Sequence, residues 1–108
     1  MSKYLCEDLQ RQLDVHDRIY KIEIYFLPLC DNAISNYQEY HKLSGNNIDM
    51  YLKRIQDIKN LFYRIKENIL EYCGLDPSLE DLLYLSIQEC AKLISQEFEE
   101  SKKLSKKG

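Results

Sequence analysis

Val15, Ile19, Ile22, Phe26, Leu29, Ala33 and Tyr37 succeed one another at spacings of four and three. That is the repeat of one helix face. A second stripe, Tyr20, Leu27, Cys30 and Ile34, runs beside it. Two adjoining stripes make a wide apolar face, which packs between neighbours rather than against one. This helix is expected to organise the chain. Within it, Lys21–Phe26 (KIEIYF) also alternates with period two and alone would pass for a strand. Its flanks are helical in pattern, and a lone strand would leave its backbone groups unpaired, so the helix is preferred.

Upstream, Leu5, Leu9 and Leu13 extend the helix towards Lys3, with no Gly or Pro between. Pro28 interrupts the apolar face. It removes one backbone donor and crowds the preceding turn, so the helix either kinks and runs on to about Leu43 or breaks and restarts there. The stripe keeps its phase across Pro28, which favours continuity. Ser44-Gly45-Asn46-Asn47 is the clearest break: Gly45 suits a left-handed helix end, and Asn46 or Asn47 suits a cap for the next helix. Tyr51, Ile55, Ile58, Phe62, Ile65, Ile69 and Tyr72 then repeat at four and three as far as Gly74. Asp76 is a candidate cap, and Pro77 opens a last helix carrying Leu79, Leu83, Ile87, Cys90, Ile94 and Phe98. The middle helix is rich in base and the last in acid, so opposite charges are expected to meet across their seam. Each exposed pair there contributes only about 0–1 kcal/mol.

The expected fold is therefore all-α: an antiparallel bundle of three long helices, or four if the first breaks at Pro28. Residues 1–101 form one domain, and 102–108 a basic, fraying tail. The 108 residues are the length of one domain, and three Gly and two Pro are too few for a turn-rich β fold.

Charge narrows the partners. Four of the fifteen bases are Lys102, Lys103, Lys106 and Lys107, leaving residues 1–101 with eleven bases against eighteen acids, net −7. An acidic body does not suit a phosphate-binding surface, so nucleic acid is not an expected partner. No apolar run reaches the roughly 20 residues that span a membrane. The start, MSKYLCEDLQ, lacks the apolar region of a secretion signal, and Cys6, Cys30, Cys73 and Cys90 form no CxxC pair. These thiols are expected to be reduced, in the cytoplasm, and mostly packed in the core.

Little points to catalysis. His16, His41 and the cysteines lack metal-ligand spacing, so no metal or cofactor is expected. Cys30 and His41 are three helical turns apart, and no Gly-rich phosphate loop is present. Arg11 and His16 stand five apart, a spacing similar to the ribonuclease site of HEPN domains, which are also helical bundles. That resemblance implies RNA cleavage by Arg11 and His16. It covers six residues near the start of the chain, whereas the family's motif lies late in its bundle; two surface side chains on one helix are the simpler reading.

Nine tyrosines are the unusual feature of the composition. Most suit a core edge, ring inside and hydroxyl wet, although Tyr is also enriched at interfaces. From Ile19 to Leu29 only Lys21 and Glu23 break the apolar run, more than two companion helices can cover. The expected role is accordingly a cytosolic, non-enzymatic protein-interaction module. It is expected to self-associate, as a homodimer, through Tyr20, Ile24, Tyr25 and Leu27 of the first helix. The alternative is a microbial or viral inhibitor, immunity or regulatory protein, docking an acidic face of the last helix (Glu89, Glu97, Glu99, Glu100) on a basic partner. Small bacteriocin-immunity proteins are similar in size and helical content, an analogy of fold alone.

Overall fold

A computed structural model describes residues 2–72 and 77–107, with side chains over 9–71 and 78–105. Three helices account for them: α1 (Ser2–Ser44), α2 (Asp49–Tyr72) and α3 (Pro77–Lys107), each packed against the other two. The fold is the expected all-α bundle.

Helix α1 runs unbroken through Pro28, so there are three helices and not four. Pro28 is exposed. The carbonyl of Ile24, which loses its usual partner four residues on, therefore faces the solvent side, where the loss is least damaging. The helix ends as its sequence demands. Gly45 adopts φ +73°, and its N–H donates to the His41 carbonyl at 2.8 Å. Asn47 accepts from the Asp49 N–H at 2.9 Å and starts α2. Pro77 is the first residue of α3. The expected roles of Gly74 and Asp76 fall outside the described residues. From Lys102 onward the basic segment continues α3 to Lys107, with Leu104 packed on the core.

The periodic residues make the core. Val15, Ile19, Phe26, Cys30, Ala33 and Tyr37 of α1 are buried against Ile55, Phe62, Ile65 and Ile69 of α2 and Tyr84, Ile87, Cys90 and Ile94 of α3. At its centre Phe26 stacks on Phe62, centroids 4.2 Å apart and rings within 12° of parallel.

Contacts fix the register. Lys66 meets Glu23, Phe62 meets Phe26 and Tyr51 meets Tyr37, so α2 runs antiparallel to α1. Arg18 lies over the Tyr84 ring, and Asn36 donates to Ser101, so α3 runs parallel to α1. Extending these pairings brings Tyr72 level with His16 and Pro77 level with Gln12. The first turns of α1 thus project beyond the described ends of both neighbours. The molecule's long dimension, 64 Å, is the length of α1 alone at about 1.5 Å per residue.

Two substitutions test this account by chemical denaturation. Phe62→Ala, which empties half of the central stack, should lower stability by about 3–5 kcal/mol. At Gly45 an added Cβ meets nothing within 4 Å, so Gly45→Ala should lower stability by only about 1–2 kcal/mol, the strain of the left-handed backbone.

Candidate functional site

The described residues contain no cluster of three or more His, Cys, Asp or Glu able to hold a metal. No helix among them is long and apolar enough to cross a membrane. What stands out instead is surface. Leu9, Leu13, Tyr20 and Ile24 of α1 are 51%, 63%, 60% and 53% exposed. At 100° per residue these four share one side of α1, together with His16 and the half-buried Leu27. That side lies away from the buried Val15–Tyr37 stripe. Leu9 lies beyond the described ends of α2 and α3, and Leu13, level with the start of α3, is on the side turned away from the bundle.

The four α1 residues named from sequence do not form one patch. Tyr20, Ile24 and Leu27 share the row. Tyr25 is also exposed, but it stands five residues from Tyr20, about 140° round the helix. Its hydroxyl lies 3.4 Å from Ser95 Oγ on α3. Leu9 and Leu13 take its place in the row. Their spacing of four, joined to Tyr20 and Ile24 in phase, was the signal that could have found them.

A shallow groove of about 360 Å³ borders the row, lined by His16, Asp17, Ile19, Tyr20, Glu23 and Lys66. Lys66 closes its α2 side by donating to Glu23 at 2.9 Å, both side chains largely covered. On the other flank Lys21 pairs with Asp17 at 3.0 Å in the open. Arg11 and His16 are both exposed on α1; His16 lines the groove and Arg11 does not.

The acidic face is divided as well. Glu89, Glu99 and Glu100 are exposed on α3, with Glu89 near Lys92 and Glu99 near Lys102. Glu97 is turned inward, its side chain 17% exposed. It accepts from the Tyr37 hydroxyl at 2.8 Å and from Arg54 at 3.1 Å, so it binds the bundle together and is not presented to a partner. Arg54–Glu97 is one of the charge contacts expected across the α2–α3 seam; Lys66 crosses to α1 instead. A further exposed row, Leu82, Leu85 and Leu93, lies on the outer side of α3 beside Glu89 and Lys92.

The tyrosines whose side chains are described divide three ways. Tyr37 and Tyr84 are buried, Tyr40, Tyr51 and Tyr63 half-buried, and Tyr20 and Tyr25 exposed. Burial first, then the Glu97 carboxylate that its hydroxyl serves, pushes the Tyr37 phenol well above its ordinary range. Burial also raises Cys30, to about 11, and raises Cys90. Both thiols are free, buried and protonated at neutral pH, which makes them inert packing groups.

Two measurements follow from these environments. With Cys6 and Cys73 replaced by Ser, the folded chain should not react with a thiol reagent at pH 8 and should expose two thiols in denaturant. Tyr37→Phe should cost about 1.5–3 kcal/mol, the net worth of a hydrogen bond to a charged group. An unfolded tyrosine loses its proton near pH 10 while folded Tyr37 retains it. Its contribution is therefore complete below about pH 10 and declines as pH rises beyond, and the variant should show a shallower alkaline loss of stability. No known protein family matches this chain, nor does any characterised protein or solved structure.

Proposed function

We propose that the chain is a non-catalytic protein-interaction module that binds a second copy of itself through α1. One observation carries this: four large apolar side chains, Leu9, Leu13, Tyr20 and Ile24, lie in a row on a side of α1 that α2 and α3 leave more than half exposed. Scattered surface leucines need no explanation, whereas an aligned row on the longest helix is a surface awaiting cover.

The magnitudes favour a reversible assembly. Each of the four has about half its side chain still to bury, on the order of 1 kcal/mol apiece. Counted on both chains, that is about 8 kcal/mol gross, set against an association penalty of about 4–15 kcal/mol. The row alone thus gives at best a millimolar dimer, and association at about 100 µM relies on the flanking charges and the rest of the contact as well.

A second reading has its own observation. Leu82, Leu85 and Leu93 on the outer side of α3 stand beside Glu89, with Glu100 further along the same side. That combination suits a basic, apolar partner, as an inhibitor, immunity or regulatory protein would need. Cleavage of RNA by Arg11 and His16 is the reading left aside.

Light scattering at about 100 µM separates them. The proposed mass is twice the 12.9 kDa of the chain. Tyr20→Asp with Ile24→Asp should return it to one chain without loss of helical circular dichroism, and Leu82→Asp with Leu85→Asp should leave it unchanged. A wild-type monomer at that concentration would sink self-association. Ribonuclease activity that disappears in His16→Ala would sink the non-catalytic reading.

A further inference from the structure

The row on α1 reads the same in both directions. Leu13, His16, Tyr20, Ile24 and Leu27 are spaced three, four, four and three, a pattern symmetric about Tyr20. Such a pattern suits an antiparallel two-fold contact, in which residue i meets j on the partner and j meets i in return. Resting on the self-association proposed above, we infer that two copies pack α1 against α1 antiparallel, centred on Tyr20. Leu13 then faces Leu27 of the second copy, His16 faces Ile24, and Tyr20 faces its own equivalent.

The charges on one flank suit this register. Asp17 and Lys21 lie on one side of the row, exposed, at positions balanced about residue 19, about 1.5 Å along the helix from the Tyr20 centre and within the reach of a lysine. Antiparallel helices bring like flanks together, so reversing one copy sets Asp17 against Lys21 of the other, twice over. A parallel arrangement, in which unlike flanks meet, would set His16 near Lys21 and lose that match.

An antiparallel partner also carries Leu9, which lies beyond the described ends of α2 and α3, back to the level of Asp31 of the other chain.

Charge reversal tests the register by sedimentation velocity on the full chain. Asp17→Lys alone and Lys21→Asp alone each place like charges opposite one another at two symmetric points. Each should raise the dissociation constant about tenfold. The double variant Asp17→Lys with Lys21→Asp restores opposite charges and should recover wild-type association. In a Cys6→Ser, Cys73→Ser background, Tyr20→Cys should be joined between chains by a short bis-maleimide, and Leu9→Cys should not. Association indifferent to the single reversals, or a double variant as weak as either single, overturns the antiparallel register while leaving self-association in place. A wild-type chain that stays monomeric overturns both.

Discussion

The three helices are held in one register by a polar contact. The Tyr37 hydroxyl from α1 and the Arg54 guanidinium from α2 converge on the Glu97 carboxylate of α3. Apolar stripes alone specify that helices pack, but they tolerate a slip of one heptad, because the repeat looks alike after seven residues. A carboxylate that is largely covered and satisfied by two donors does not tolerate it, since any slip leaves charge without partners. Tyr37 also stacks on Tyr51, centroids 4.6 Å apart, so the ring that carries the hydroxyl is itself fixed by α2. The register of α3 on α1 follows, and with it the length of α1 that remains uncovered.

The fold was legible because its signals are local and repeated. Spacings of four and three mark every buried position of α1 from Val15 to Tyr37 and of α2 from Ile55 to Ile69. Gly45 and Asn47 mark their own helix ends by backbone conformation and side-chain geometry that few other residues supply. Pro28 was ambiguous for a physical reason: whether the helix survives a missing donor depends on whether the orphaned carbonyl finds water, and that depends on which way the turn faces in the folded molecule.

The surface was less legible, because exposure is set by where neighbouring helices stop. The apolar run from Ile19 to Leu29 correctly implied a surplus, yet it did not separate Tyr20, which faces away from α3, from Tyr25, which reaches towards Ser95. Nor did it show that Leu9 lies beyond the described ends of both neighbours. Glu97 was the converse case. On a helical wheel it belongs with the outer acids, but Tyr37 and Arg54 reach it from two other helices. Long-range partners of that kind leave no trace in the spacing along one helix.

Pro28 carries a last consequence, for the chemistry of whatever rests on α1. Its ring nitrogen has no hydrogen, so the peptide oxygen of Ile24 goes without the partner that an α-helix would otherwise give it four residues on. Grease laid over that turn would strand the oxygen; a hydroxyl, an amide or a retained water would satisfy it. One imino acid thereby makes a surface of leucine and tyrosine selective for covers that bring a hydrogen to the right place.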